Sequence, residues 1–485
     1  MSVIVKVFYY KNLIVFPLRR TEYELDFSDM LHPVITKRVT SGNREEFFGT
    51  AYPPCSCRSR ISTLLSEKGF FSDQKNDIRG YCGASFGAVL TTDGGERSVS
   101  LNDLPGNAPR AFLSLEEALE NLFVSSVKHF PVKENDPFRS ECDSIFEKLF
   151  SEDGPAASVL IAEGDTVLYD RGFGKPQLSE ERGTDSDTFF NIASCSKQFT
   201  AVGILQLVGE GRLSLSDPVK KWFPEFRGDF WNRVTVSHLL SHSSGVPDKR
   251  GYLTRKQLIE CDDRLAVEYL PGLDSLSFEP GTAYEYVNPT FVLCGRLIEL
   301  VSGKPFADYM HERVFVPAGM RRSCYFEADK QELLPFRAHG YEMDEGEWSF
   351  CEYGQETCFA TRPDGGLYTS AREFFKWVKA LRTGKLLPAE QLSLAQSEIT
   401  EVTGSEFSDY QNRPNTWYGY GWFLEPAVPG VSERVVYHTG DNGGFKILTA
   451  TYPESQKTVL VFSARSDYDR NGLKIKLEKM IGVRK

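Results

Sequence analysis

Apolar and polar residues alternate with the period of a β-strand in two parts of the chain that lie far apart. The first part comprises 157–162 and 166–169, which predict a hairpin that turns at 163–165. The second part predicts successive antiparallel strands at 435–437, 445–452 and 458–464. Because strands need partners to bury their apolar faces, we expect one antiparallel sheet built from these distant segments.

Helical patterns fill the residues between the two groups of strands. Apolar side chains recur at helical spacing after Lys197, and a strongly apolar run at 291–301 stops at Gly303. Ser370 and Glu373 form a capping box for another helix. Further helices are predicted at 138–150, 219–223 and 473–481. The pattern therefore indicates an α/β (α+β) fold, in which an antiparallel sheet flanked by helices carries an inserted all-helical subdomain.

The pattern is weaker near the start of the chain. Runs at 3–10 and 13–16 predict a hairpin, whereas residues 26–95 are irregular. Residues 114–129 predict a helix that begins with a capping box.

A polar, proline-bounded run at 131–137 is typical of an interdomain linker. It divides the chain into a separate N-terminal α+β domain at 1–132 and a second domain at 138–485. Three roles stay open for the first domain: covering the mouth of a site, recognising a substrate, or mediating oligomerisation.

Length and composition indicate a globular protein of two or three domains, with 485 residues, 41% hydrophobic and 25% charged. The net charge of -11 argues against a nucleic acid or an anionic membrane surface as partner. No apolar run is long enough to span a membrane, and residues 1–20 lack a recognisable export signal. Because the ten cysteines are mostly isolated, we expect a soluble, cytoplasmic protein. Its oligomeric state stays open.

Two groups of residues are of types that bind metals, but neither group has the spacing that a metal site needs. Cys55 and Cys57, with Cys82 further on, do not follow a zinc-ligand pattern. His238 and His242 are four residues apart, but no glutamate directly follows His238. We therefore expect no metal and no cofactor.

Candidate chemistry begins with Ser194 and Lys197, which are three residues apart where a helix is predicted to start, so that both side chains project from one face. Serine needs a neighbouring base, and a lysine serves as one when burial keeps it neutral. The apolar residues after Lys197 predict a buried helix. The alternative is that Ser194 only caps this helix. Cys195 would point to another face, as a small core residue rather than a nucleophile.

Residues from two later segments are candidate partners of this pair. Tyr286 and Asn288 follow a Pro-Gly turn; the phenol is suited to shuttling a proton and the amide to orienting the lysine or a substrate carbonyl. The run His438-Thr439-Gly440, followed by Asp441, comes after a predicted strand. His438 is a candidate donor to substrate, and the strand can offer a backbone N–H, although a plain hairpin turn has the same pattern.

Three motifs thus occur in a fixed order: Ser-Cys-Ser-Lys at 194–197, Tyr-Val-Asn at 286–288 and His-Thr-Gly at 438–440. The surrounding runs at 237–245, 364–370 and 418–422 add to the pattern. Together they resemble the serine β-lactamase and penicillin-binding-protein-like family, near its class C branch and the related esterases and D-aminopeptidases. The resemblance extends from about residue 138 to the end of the chain.

This resemblance implies catalysis through an acyl-enzyme at the junction of a sheet domain and a helical domain. Ser194 would be the nucleophile, and Lys197 and Tyr286 would share the proton transfers. Asn288 would help to orient the reacting groups, while the backbone N–H groups of Ser194 and Asp441 would bind the oxyanion.

One point on substrate binding stays open, because Trp422 either walls the acyl pocket or packs in the core. Family members that act on penicillins usually have lysine where this chain has His438, and a neutral histidine anchors a carboxylate less well. This difference favours esters, amides or acyl transfer over β-lactams.

We therefore expect a serine hydrolase that acts on a small-molecule or peptide ester or amide. Acyl transfer, peptide cyclisation and D-amino-acid-directed peptidase or β-lactamase activity are alternatives. A non-catalytic binding protein on the same scaffold is a further one.

Overall fold

The computed structural model describes residues 136–179, 183–249, 262–320, 322–325, 337–351, 361–403 and 413–485. In residues 1–135 it describes the backbone of six strands. The chain forms two compact units, Met1–Pro137 and Phe138–Lys485.

The first unit contains a six-stranded antiparallel sheet. Its strands are β1 (Val3–Lys11), β2 (Arg19–Asp26), β3 (Val34–Ser41), β4 (Arg44–Ala51), β5 (Ser85–Thr92) and β6 (Gly95–Asn102). They are arranged in the order β4-β3-β2-β1-β5-β6. The strand predicted at 3–10 is confirmed as β1, which pairs with β2. Three of these strands, β3, β4 and β5, lie entirely within the stretch 26–95 that the sequence pattern left irregular.

Several predictions for this unit lie outside the described residues. They are the strand at 13–16, the helix at 114–129, most of the linker at 131–137, and Cys55, Cys57 and Cys82.

The second unit is built on an eight-stranded antiparallel sheet that joins both ends of its sequence. Its strands are β7 (Ala157–Glu163), β8 (Thr166–Phe173), β14 (Thr400–Glu401), β15 (Trp417–Tyr418), β16 (Phe423–Glu425), β17 (Val435–Asn442), β18 (Phe445–Tyr452) and β19 (Lys457–Ser463). The order is β14-β15-β16-β17-β18-β19-β7-β8, so that β19 pairs with β7. The predicted sheet of distant segments is confirmed.

Shorter strands of the described residues lie outside the eight-stranded sheet. One three-stranded sheet has the order β10 (Cys324–Tyr325), β13 (Leu367–Thr369) and β9 (Phe190–Asn191), and β11 (Tyr341–Asp344) forms a hairpin with β12 (Glu347–Phe350).

The described helices of this unit agree well with the predicted ones. They are α1 (Pro137–Phe146), α2 (Lys197–Gly209), α3 (Val219–Trp222), α4 (Val236–Leu240), α5 (Asn288–Ser302), α6 (Phe306–Met310), α7 (Val316–Ala318), α8 (Arg362–Gly365), α9 (Ala371–Arg382), α10 (Ala389–Ala395) and α11 (Arg470–Met480). Helix α5 ends at Gly303 with φ 73°, and the Ser370 hydroxyl accepts the N–H of Glu373 at the start of α9. Helix α1 ends four residues earlier than predicted.

Helix α2 lies at the centre of the second unit. Its residues from Lys197 to Leu205 are all buried, so the helix is enclosed on every side rather than amphipathic. The ring of Phe199 stacks on Trp377 of α9 at 4.0 Å between centroids, and a Cβ at Gly203 would lie 2.9 Å from Ile298 of α5. The close packing of α2 against both neighbours buries Lys197 at its first turn.

Candidate active site

Ser194 lies in a 3-10 turn, Ala193–Ser196, that leads directly into α2. Ala193 has φ 47°, a left-handed conformation that non-glycine residues rarely adopt, and its N–H donates to Asn191 Oδ1 at 2.8 Å. Such strain persists where the surrounding structure holds it, and it often marks a functional site. The N-cap positions of the turn and of the helix are Ile192 and Ser196, so the alternative that Ser194 is a helix cap is wrong.

Lys197 is completely buried, and its amine contacts the predicted partners. Nζ lies 3.1 Å from Ser194 Oγ and 2.7 Å from Asn288 Oδ1. It also donates to the carbonyl oxygen of Asp364 at 2.8 Å. The structure therefore brings Ser194, Lys197 and Asn288 together in one hydrogen-bonded group.

Tyr286 is adjacent to this group because it lies two residues before Asn288, the first residue of α5. Lys197 Nζ lies 4.9 Å from the centroid of the Tyr286 ring. The loop before α5 is held by His242, whose Nδ1 accepts the N–H of Val287 at 3.2 Å. The Tyr286 ring also lies parallel to that of Phe423, with centroids 6.3 Å apart. The phenol ring is thus positioned beside the amine of Lys197.

His438 lies on β17 and is completely buried. Its Nδ1 is 2.6 Å from the carbonyl oxygen of Thr439, which can only accept, so Nδ1 carries the hydrogen. Nε2 then accepts from the Tyr418 hydroxyl at 2.9 Å. Burial holds the pKa of His438 well below its usual value of 6.5. Both ring nitrogens of this neutral histidine therefore bond to protein groups, unlike the expected donation to a substrate.

The strand after His438 lies against the Ser194 turn. A Cβ at Gly440 would lie 2.4 Å from the carbonyl oxygen of Ile192, so only glycine allows this approach. The Asp441 carboxylate pairs with the buried Arg470 of α11, at 3.1 Å and 2.8 Å. Arg470 also donates to the carbonyl oxygens of Gly440 and Ile447. The predicted residues Gly440 and Asp441 are thus next to the turn, and their strand is fixed from behind.

Trp422 contacts Gln198, the second residue of α2. Its indole is buried, and Nε1 donates to Gln198 Oε1 at 2.8 Å. Gln198 in turn donates to Thr449 Oγ1 at 3.1 Å. All three residues line a cavity of about 230 Å³ whose lining does not include Ser194. These contacts favour the alternative in which Trp422 packs in the core.

The remaining candidates have structural contacts. His238 Nδ1 accepts the N–H of Thr235 in a capping box at the start of α4. Cys195 is completely buried, and burial raises the pKa of its thiol to about 12, as expected for a core residue rather than a nucleophile. Within the described ranges, the structure contains no group of three or more histidine, cysteine or acidic residues that could hold a metal.

Sequence reasoning assigned no role to four residues of this region. They are His242, Asp364, Tyr418 and Arg470. The first three lie in runs that contributed to the family resemblance, but no individual role followed from it. Arg470 had no sequence signal, because a charged residue at a helix start is usually exposed.

An antiparallel sheet with an inserted helical subdomain, and a Ser-Lys pair at the start of the buried helix between them, are the features of the β-lactamase/transpeptidase-like serine hydrolases. The sequence model of the Beta-lactamase family matches residues 143–478, and the chain belongs to this family. The resemblance stated from the motifs is thereby confirmed.

Similar proteins support this membership. Penicillin-binding protein 4* of Bacillus subtilis (strain 168) is 29% identical over 344 residues, which cover 68% of this chain and 72% of that protein. The octameric penicillin-binding protein homologue from Pyrococcus abyssi superposes with a TM-score of 0.62 and 27% identity, over 71% of this chain and 78% of that one. D-amino acid amidase from Ochrobactrum anthropi SV3 has a TM-score of 0.57 at 20% identity, over 71% and 97% of the two chains, and shares the fold.

Within the described residues, no helix has the length and apolar composition needed to cross a membrane.

Proposed function

We propose that this chain is a serine hydrolase that cleaves an ester or amide through an acyl-enzyme on Ser194. The observation that supports it most strongly is the 3.1 Å contact between Ser194 Oγ and the Nζ of the fully buried Lys197. That distance is within hydrogen-bond range, as a nucleophile and its base require.

Lys197 is suited to take the serine proton. Burial disfavours a charged amine, so a neutral Lys197 is available to accept the proton as Oγ attacks the substrate carbonyl. The ammonium that results is stabilised by Asn288 Oδ1 at 2.7 Å and by the carbonyl oxygen of Asp364 at 2.8 Å. The same proton then passes, through Tyr286, to the leaving oxygen or nitrogen. Water attacks the acyl group afterwards and releases Ser194.

The oxyanion of the tetrahedral intermediate would accept from the backbone N–H groups of Ser194 and Asp441. The close approach of Gly440 to Ile192 supports this role, because it brings the end of β17 to the serine turn. Backbone donors that are fixed before the reaction stabilise an oxyanion without reorganisation. The contacts of Arg470 would keep this strand in place.

The environment of His438 supports a substrate that needs no carboxylate anchor. A buried, neutral imidazole with both nitrogens bonded to protein groups supplies no fixed positive charge at this position. We therefore propose neutral esters and amides as the main substrates. Acyl transfer to an amine or alcohol would use the same acyl-enzyme and would differ only in the final acceptor.

Acylation by β-lactams is a second candidate, which rests on the similarity to a protein named penicillin-binding protein 4*. A fluorescent penicillin distinguishes it from the first. Stoichiometric labelling at Ser194 by the penicillin would favour the second candidate, whereas turnover of neutral esters without such labelling would favour the first.

The proposal is tested by labelling the whole protein with a fluorophosphonate and measuring its intact mass. We expect one adduct in the wild type and in Ser125→Ala, which removes the serine of another Ser-x-x-Lys sequence in the same chain. Ser194→Ala should form none. An adduct of unchanged yield in Ser194→Ala would rule out Ser194 as the nucleophile.

A further inference from the structure

His242 has an unusual environment that zinc binding and ordinary packing do not account for. It is completely buried and has φ 54°, a left-handed conformation that a residue other than glycine rarely adopts. Backbone strain of this kind persists where surrounding contacts hold the residue in place.

The contacts of His242 go to the segment that contains Tyr286 and Asn288. Its carbonyl oxygen accepts the N–H of Glu285 at 2.9 Å, and its Nδ1 accepts the N–H of Val287 at 3.2 Å. Its ring lies 4.3 Å from the ring of Tyr286, between centroids. The backbone and the side chain of one residue thus hold both ends of the three-residue stretch 285–287.

The other ring nitrogen shows which of these contacts requires an imidazole. Because Nδ1 accepts, the hydrogen of the neutral ring is on Nε2, and Nε2 is buried with no hydrogen-bond partner among the described residues. The surroundings are aromatic, with the ring centroids of Tyr418 and Phe291 at 4.7 Å and 5.1 Å. A phenylalanine would fill this space without burying an unpaired N–H. The one interaction that only the imidazole supplies is the acceptor for Val287.

We infer that His242 is a positioning residue, whose Nδ1 fixes the Val287 backbone so that Tyr286 and Asn288 stay in register with Lys197. Val287 is the N-cap residue of α5, and it joins the two side chains concerned. A shift of this residue would move Asn288 Oδ1 from its 2.7 Å contact with Nζ and move the Tyr286 ring from beside the amine. The inference rests on the proposed function, in which these groups transfer the proton.

Three substitutions of His242 distinguish the effect of its Nδ1 acceptor from the effects of ring packing and of backbone strain. His242→Asn keeps an acceptor at the position of Nδ1 and tolerates the left-handed conformation. His242→Leu has almost the shape of asparagine and no acceptor. His242→Gly removes the strain together with the side chain. Each variant is assayed as the full chain, below its own thermal midpoint, with p-nitrophenyl butyrate.

We expect His242→Asn to keep kcat within about fivefold, and the leucine and glycine variants to lose about 30-fold or more, because small misplacements of proton-transfer groups are costly. KM should stay within about threefold in all three, since the residue does not contact substrate. If leucine does not fold, the asparagine and glycine variants still give the comparison. Equal losses in asparagine and glycine, a leucine variant with wild-type kcat, or a change confined to KM would overturn the inference.

Hydrogen exchange separates this inference from the proposed function. The peptide that contains 284–288 should exchange faster in the leucine and glycine variants than in the wild type and His242→Asn. This result is expected even if Ser194 is never acylated. Unchanged exchange in all variants would contradict the positioning role, while a wild type that forms no acyl-enzyme would contradict the proposed function alone.

Discussion

Two lysines in the described part of the second unit are buried, and their surroundings differ in kind. Lys197 directs its amine to a serine hydroxyl, an amide oxygen and a peptide carbonyl. Lys474 on α11 contacts two carboxylates instead, with Glu478 at 2.7 Å and Glu425 at 3.1 Å. An amine between carboxylates forms a buried ion pair, which fixes structure. An amine that bonds only to neutral oxygens has no carboxylate to offset the desolvation of its charge, so its neutral form is more readily available to accept a proton.

The first prediction tests Lys197 as the base. Lys197→Met keeps an unbranched side chain and removes the amine, so the rate constant for acylation of Ser194 should fall by about 1000-fold or more. The rate of fluorophosphonate labelling measures it. Lys474→Met is the matched control, because it removes the other buried amine. Equal labelling rates in the two variants would contradict the difference that we draw between the lysines.

The second prediction concerns the strand beside Ser194. In Gly440→Ala, the new methyl group would meet the carbonyl oxygen of Ile192 at 2.4 Å, so β17 must move from the serine turn. We expect kcat for ester hydrolysis to fall by about 100-fold, the effect of losing one oxyanion donor. Gly272→Ala is the control, since no described heavy atom lies within 4 Å of its new methyl group. Full activity in Gly440→Ala would exclude the proposed oxyanion site.

The third prediction reverses the comparison and measures stability. Lys474→Met leaves Glu478 and Glu425 without one of their cations, although Arg484 still contacts both. We expect the free energy of unfolding to fall by about 3 kcal/mol, as measured by urea denaturation. Lys197→Met should lose less. A larger loss of unfolding free energy in Lys197→Met than in Lys474→Met would contradict the structural role that we give to Lys474.

The fourth prediction follows from the buried histidines, and its effect is the smallest. Burial lowers the pKa of His242 and His438 well below 6.5, and that of His339 to about 4. The unfolded chain therefore binds more protons at these positions below pH 6.5, and the folded state loses stability as the pH falls through this value. Asp263 acts in the opposite sense, because burial raises its pKa to about 7.

His339→Gln isolates one of these contributions away from the proposed site. Between pH 6 and pH 5, the decline in the free energy of unfolding should become shallower by about 1 kcal/mol per pH unit. Denaturation at several pH values measures it. A slope identical to that of the wild type would show that His339 titrates normally in the folded protein.

The regular elements of the second unit could be predicted because their signals are local. The hairpin of β7 and β8, the stop of α5 at Gly303 and the Ser370 cap each depend on a few neighbouring residues. Alternation also predicted that the strands at both ends of this unit share one sheet, since an unpartnered apolar strand face needs a neighbour. The pairing of β19 with β7 within that sheet is a finding of the structure.

The parts of the site that depend on tertiary contacts could not be predicted. The two nitrogens of His438 are bonded by Tyr418 and by the next residue's carbonyl, and spacing gives no indication of either. Arg470 is distant in sequence from the strand that it fixes. Trp422 is a residue type that often lines pockets, yet its indole donates to Gln198 of α2. Side-chain direction in a buried site is set by packing, which one sequence does not reveal.

The proposed mechanism requires that Ser194, with Lys197 as its base, accepts and holds the acyl group of the substrate. Rapid quenching of the wild-type protein during turnover of p-nitrophenyl butyrate, followed by peptide mass analysis, measures where the butyryl group resides. We predict a burst of p-nitrophenol and a butyrylated peptide that contains Ser194, both absent in Ser194→Ala. Turnover without a burst and without any acylated Ser194 peptide, under conditions that trap a known acyl-enzyme, would contradict the mechanism.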